Sequence, residues 1–99
     1  MQLLDSRQLK DWINSEKDFQ LIDVREQAEH DAFNIGGILI PLPEIMEHVS
    51  QIESHRPVVF YCRMGIRSQI AIQRLESRFG MTNLYNLKGG MDAWKKENP

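Results

Sequence analysis

Cys62 is the only thiol in a chain of 99 residues, and its neighbours are of the kinds that make a thiol reactive. The segment Cys62-Arg63-Met64-Gly65-Ile66-Arg67-Ser68 follows Pro57-Val58-Val59-Phe60-Tyr61, a run of strong β-formers that reads as a central buried strand. Ser68 is a good N-cap, which predicts a helix over Gln69–Phe79 directly after the loop. The chain must turn sharply between strand and helix, and Gly65 admits backbone angles closed to other residues. A connection this short aims several amide N–H groups into one concavity, with the helix N-terminus behind it. Such a nest binds anions. Here the expected occupant is the Cys62 sulfur or whatever is attached to it. The helix dipole, Arg63 and Arg67 all favour thiolate over thiol, and comparable settings lower a cysteine pKa from about 8.5 into the range of roughly 3.5–7.5. The two guanidinium groups also present planar forks of donors to an anionic substrate. Met64 and Ile66 project from the loop and make its rim partly apolar.

Plainer readings compete with these. A lone cysteine at a strand end is often a small buried hydrophobe, and arginines are often solvated surface charges. Two arginines within five residues, a glycine in mid-loop and a serine before a helix argue against that for Cys62. Asp23 and Arg25, at the end of another apolar run, read first as an ion pair at a strand end. None of His30, His48 and His55 is assigned a role, so thiolate activation is expected from the loop itself and not from a Cys–His couple.

The elements that would hold this loop alternate between strand and helix. Gln2–Leu4 is a short strand, and Asp5 with Gln8 forms a capping box for a helix bearing Leu9, Trp12 and Ile13. Phe19–Val24 reads as a strand, Glu26–Phe33 as a charged helical piece, and Gly36-Gly37 as a turn before the brief strand Ile38-Leu39-Ile40. Pro43 opens a predicted helix with Ile45, Met46, Val49 and Ile52 on one face. Ile72, Leu75 and Phe79 are the expected buried side of the helix after the loop, and Gly80 its stop. Leu84–Leu87 is the last strand, and Gly89-Gly90 turns the chain into a final helix holding Trp94. Five short strands separated by amphipathic helices predict an α/β fold with a mostly parallel sheet covered on both faces. Ligands of such sheets bind beyond the carboxyl ends of the strands, where both Asp23-Val24-Arg25 and the Cys62 loop fall.

Composition bounds the rest. With 41% apolar and 26% charged residues the chain reads as one globular domain over 1–99, able to bury roughly 60–70% of its unfolded surface. One cysteine excludes an intramolecular disulfide and a cysteine-rich zinc site, and no metal or cofactor is expected. No apolar run approaches the ~20 residues that span a bilayer, no signal peptide is visible, and a cytoplasmic address is the expectation. A net charge of −2 argues against general nucleic-acid binding. The charge is unevenly spread. Residues 1–55 carry four Lys/Arg and eleven Asp/Glu, while residues 56–99 carry eight and three, which makes the second half the better host for an anion.

Cys-Arg-x-Gly-x-Arg-Ser after an apolar strand resembles the active-site loop of rhodanese-type sulfurtransferases. Leu21-Ile22-Asp23-Val24-Arg25-Glu26 is similar to that family's L-I-D-V-R-E segment, and Asn86–Trp94 to its N-L-x-G-G-x-x-A-W ending. The resemblance implies the three-layer rhodanese fold with a five-stranded sheet. It also implies a persulfide mechanism in which Cys62 accepts a sulfane sulfur from an anionic donor such as thiosulfate and passes it to a thiophilic acceptor. Arg63 and Arg67 would then favour anionic donors, with Met64, Gly65, Ile66 and Ser68 completing the loop. Asp23 and Arg25 would support the site without reacting, and a sulfur-carrier or desulfurase protein would be a natural partner. Ala32–Pro41, AFNIGGILIP, departs from the family's G-H-I-P-G-A pattern. Two other readings attach to the same resemblance: a non-catalytic module that binds a protein partner, and a rhodanese-like phosphatase or arsenate reductase. The latter have a loop one residue longer, whereas here four residues separate Cys62 from Arg67.

Overall fold

The computed structural model describes residues 1–99. Five strands form one sheet: β1 (Gln2–Leu4), β2 (Gln20–Asp23), β3 (Ile38–Leu39), β4 (Val58–Tyr61) and β5 (Leu84–Leu87). Their order is β1-β5-β4-β2-β3, and every pairing is parallel. Between them lie α1 (Ser6–Asn14), α2 (Gln27–Ala32), α3 (Ile66–Phe79) and α4 (Gly90–Glu97). The expected α/β architecture is the observed one.

β4 is central and wholly buried, and its alternation divides the core. Val58 and Phe60 point to one face, where Ala71, Ile72 and Leu75 of α3 cover them together with Ile22, Ile45 and Ile52. Val59 and Tyr61 point to the other, against Leu9 of α1 and Met91 and Trp94 of α4. A strand buried on both faces needs no polar alternation, which is why this run is continuously apolar. Asp5 caps α1 as its spacing from Gln8 predicts: Gln8 N–H donates to Asp5 Oδ1 at 2.8 Å, and Asp5 N–H to Gln8 Oε1 at 2.9 Å.

Three expectations need correction. No α-helix follows Pro43. The chain forms two single 3₁₀ turns, Leu42–Glu44 and Val49–Gln51, and the turns from Pro41 to Ile52 close by i→i+3 bonds such as Ile45 N–H to Leu42 O and Ile52 N–H to Val49 O. The apolar residues at 42, 45, 49 and 52 are spaced three, four and three apart, so the tighter turns do not follow from their pattern, and Ile45 still reaches the core. Phe79 is 44% exposed, and Met81 beyond the helix packs against the core. Ser68 is not an N-cap. α3 begins three residues earlier than expected, at Ile66, with Gly65 in the capping position at φ 95°.

Ile45→Ala should lower unfolding free energy by about 2–5 kcal/mol, whereas Glu47→Ala, on the exposed side of the same segment, should change it by less than about 0.5 kcal/mol. Urea melts of the two variants read this directly. Equal effects would mean that the segment does not anchor the core.

Candidate active site

Cys62 directly follows β4, and its sulfur is buried at the start of α3. Gly65 N–H donates to Cys62 Sγ at 3.1 Å and Ser68 N–H at 3.4 Å. Gly65 makes this possible: at φ 95° it reverses the chain so that the first amides of α3 face back onto the residue that ended β4. Burial pushes the Cys62 thiol up, but hydrogen bonds from Ser68, Gly65 and Met64 outweigh it and bring the thiol below its ordinary range.

The part played by the Ser68 hydroxyl follows from proton counting. Asn86 Nδ2 donates to Gly65 O at 3.0 Å, which turns Asn86 Oδ1 toward Ser68. Ser68 Oγ–H donates to that oxygen at 2.6 Å, so its one proton is committed and only lone pairs face Cys62 Sγ at 3.4 Å. A thiolate is held by the amides and, once the hydroxyl turns from Asn86 to sulfur, by Ser68 Oγ–H as well.

Amides that face inward require carbonyls that face outward. Met91 N–H donates to Cys62 O at 2.9 Å and Asp92 N–H to Arg63 O at 3.0 Å, both from the first turn of α4. The helix start lies so close to the loop that a Cβ on Gly90 would collide with Cys62 O and stand 2.6 Å from the Arg63 carbonyl.

On the other side, Arg25 Nε and Nη2 donate to buried Asp23, Nη2 at 2.9 Å, and Nη2 also donates to Phe33 O at 2.6 Å. The expected ion pair at the strand end is therefore present. His30 Nδ1 lies 2.8 Å from Asp23 Oδ2. Burial pushes the Asp23 carboxyl up, but bonds from Arg25 and His30 bring it below its ordinary value. Burial, then the Asp23 charge, push the Tyr61 phenol up to about 12, which keeps it neutral under the Arg25 guanidinium.

The two loop arginines differ. Arg67 Nη1 and Nη2 donate to the two carboxylate oxygens of Glu29, at 2.7 and 2.9 Å. Its fork is thus already occupied by a protein carboxylate. Arg63 is largely exposed, with Nε 3.6 Å from Asp92 Oδ1. Cys62, Arg63, Met64, Ile66 and Arg67 line an open pocket of about 320 Å³. Met64 and Ile66, 55% and 61% exposed, form the apolar rim expected of them. In the atypical segment, Gly36 N–H donates to Asn34 Oδ1 at 2.9 Å and Gly36 holds φ 96°, an angle closed to proline. Sequence reasoning missed Asn86, Glu29 and His30. An asparagine inside the apolar strand Leu84-Tyr85-Asn86-Leu87 was the available signal for the first; the other two sit on a charged helix that offers none.

This arrangement defines an α/β protein with an activated thiol at the carboxyl end of a central parallel strand. Residues 5–97 match the rhodanese-like domain family, and the chain belongs to it. The chain is 36% identical over 94 residues to a probable adenylyltransferase/sulfurtransferase, MoeZ, of Mycobacterium tuberculosis. That match covers 92% of this chain and 24% of the relative, so the chain spans about a quarter of that protein's length. It is 31% identical over 84 residues to the thiosulfate sulfurtransferase GlpE of Coxiella burnetii, covering 84% of this chain and 78% of the relative. The crystal structure of a rhodanese-like domain protein from Staphylococcus aureus superposes with a TM-score of 0.86 at 27% identity, over 95% of this chain and 91% of that one.

Two substitutions probe the loop's supports. Asn86→Ala removes the partners of Gly65 O and Ser68 Oγ, and should destabilise by about 1–3 kcal/mol in urea melts. A parent-like stability would show that neither bond supports the loop. Gly90→Ala should displace the loop, with thiolate absorbance shifting toward the ordinary thiol range. A parent-like midpoint in the folded variant would show that α4 does not set the loop's position.

Proposed function

We propose that the protein, folding as one domain over residues 1–99, is a sulfurtransferase that carries a sulfane sulfur on Cys62. The convergence of backbone N–H groups on the chain's only thiol, at the mouth of an open pocket, carries this reading. Such a site favours a thiolate and then favours the anionic persulfide formed from it. The relatives' names support the reaction class.

With thiosulfate the first half-reaction is a displacement at sulfur. The Cys62 thiolate attacks the outer sulfur, a Cys62 Sγ–S bond forms, the donor S–S bond breaks, and its electron pair leaves with sulfite. In the second half-reaction an acceptor such as cyanide attacks the outer sulfur of the persulfide, and thiocyanate leaves while the thiolate is restored. No external oxidant or reductant is needed. Arg63, exposed at the rim, is the group placed to meet an anionic donor or the departing sulfite. Gly65 and Ser68 supply amides, Asp23 and Arg25 hold the α2 side of the site, and Arg67 ties the loop to that side through Glu29. The apolar rim of Met64 and Ile66 suits a protein partner that brings or takes sulfur, such as a sulfur carrier or a desulfurase.

A non-catalytic module would not need a cysteine held by two converging amides. A phosphatase needs a wider ring for a tetrahedral oxyanion and an acid for the leaving group. Here four residues separate Cys62 from Arg67.

Cys62→Ser should fold as the parent does and form no thiocyanate from thiosulfate and cyanide above background, since a hydroxyl is not ionised at neutral pH and forms no persulfide. The parent incubated with thiosulfate should gain the mass of one sulfur atom on the peptide containing Cys62. Transfer by the serine variant, or phosphate-ester hydrolysis by the parent without sulfur transfer, would overturn the reading.

A further inference from the structure

The loop holds two guanidinium groups, and the stronger-held one is already neutralised. Glu29 takes both terminal nitrogens of Arg67 in a parallel two-bond fork, the strongest form of this pairing. Arg67's hydrogen bonds hold the Glu29 carboxyl down to about 2, so it is charged wherever a thiolate exists. The carboxylate is braced from behind. One of its oxygens also accepts Glu26 N–H at 3.1 Å, and the end of α2 is fixed by Arg25 bonded to Phe33 O. Asp92 stands within 3.6 Å of Arg63. Taken with the thiolate, the site carries three negative groups, Cys62, Glu29 and Asp92, against two positive ones, Arg63 and Arg67. A dianion entering the pocket finds no surplus of positive charge, and must compete with Glu29 for the better fork.

We propose that Glu29 is a specificity-determining residue which, by saturating Arg67, disfavours dianionic donors such as thiosulfate and selects donors bearing at most one negative charge, the persulfide of a thiol being the class that fits. The proposal rests on the sulfurtransferase reading of Cys62. With such a donor, R–S–SH, the Cys62 thiolate attacks the outer sulfur, the Sγ–S bond forms, the donor S–S bond breaks, and the electron pair leaves as R–S⁻. Charge is conserved at one unit throughout, and the apolar rim of Met64 and Ile66 faces the R group.

Thiosulfate and methanethiosulfonate isolate the charge. Both offer an outer sulfur on a sulfonyl-type leaving group, one leaving as dianionic sulfite and the other as monoanionic methanesulfinate, and both are assayed with cyanide. Glu29→Gln keeps the side chain's size and one acceptor oxygen but removes the charge. The ratio of kcat/KM for thiosulfate to that for methanethiosulfonate should rise about five- to tenfold, mainly through a lower KM for thiosulfate. The gain should shrink in about 1 M salt, where screening acts within ~3 Å. Glu29→Asp, which keeps the charge, should stay closer to the parent's ratio. A purely structural role would move both donors together. An unchanged or falling ratio in folded Glu29→Gln overturns the proposal. The parent gives a second reading free of any folding question: its ratio should hold or rise as salt goes to about 0.5 M, because the screened force is repulsive. A falling ratio there overturns the proposal as well. Transfer by the parent from neither donor nor from a low-molecular-weight persulfide would overturn the sulfurtransferase reading itself. Transfer with a charge-blind ratio overturns only the role of Glu29.

Discussion

A peptide unit that turns its N–H toward sulfur must turn its C=O elsewhere, and a buried carbonyl needs a donor. The site depends on this constraint. Cys62 O, Arg63 O and Gly65 O are each met by a donor from beyond the loop: Met91 N–H and Asp92 N–H of α4, and Asn86 Nδ2 of β5. Residues about 20 to 30 positions downstream therefore set the aim of the amides around Cys62. The approach is close enough that position 90 has no room for a side chain. α4 is itself held by Met91 and Trp94 in the core on that face of the sheet, so the loop's geometry is inherited from packing rather than from the loop's own sequence.

The opposite wall is built on charge. Asp23 and Arg25 form a pair almost without solvent contact, a kind of pair whose desolvation cost offsets much of its attraction. Its value here is geometric. Through Phe33 O it fixes the end of α2, α2 presents Glu29, and Glu29 fixes the Arg67 end of the loop. One wall thus rests on hydrogen bonds to backbone and the other on a relay of ion pairs, and the thiol lies between them.

The strands were legible because each is a run of β-formers bounded by turn residues, and the sheet's parallel order because helices separate those runs. The Cys62 loop was legible because its residue types are chemically conspicuous over seven positions. What escaped was decided across space. Asn86 was visible as part of a motif, but its task depends on β5 lying beside β4. Ser68 has the composition of an N-cap, yet Gly65 starts the helix earlier and leaves the hydroxyl to Asn86. Arg67 reads as a free cation from its neighbours, and its partner lies 38 positions away on α2. The segment after Pro43 carries apolar residues at helical spacing, yet it forms 3₁₀ turns while packing against α3 and the sheet, an outcome its own pattern does not announce.

The sheet's order has a consequence for behaviour at high concentration. Both outermost strands are very short, three residues in β1 and two in β3, although each shows an apolar side chain to solvent, Leu3 and Ile38. An open strand edge is a template on which another chain can add itself, and the hazard grows with the length of free backbone it presents. Two or three residues present few unpaired groups to such growth, and the longer strands that carry the site sit inside, paired on both sides.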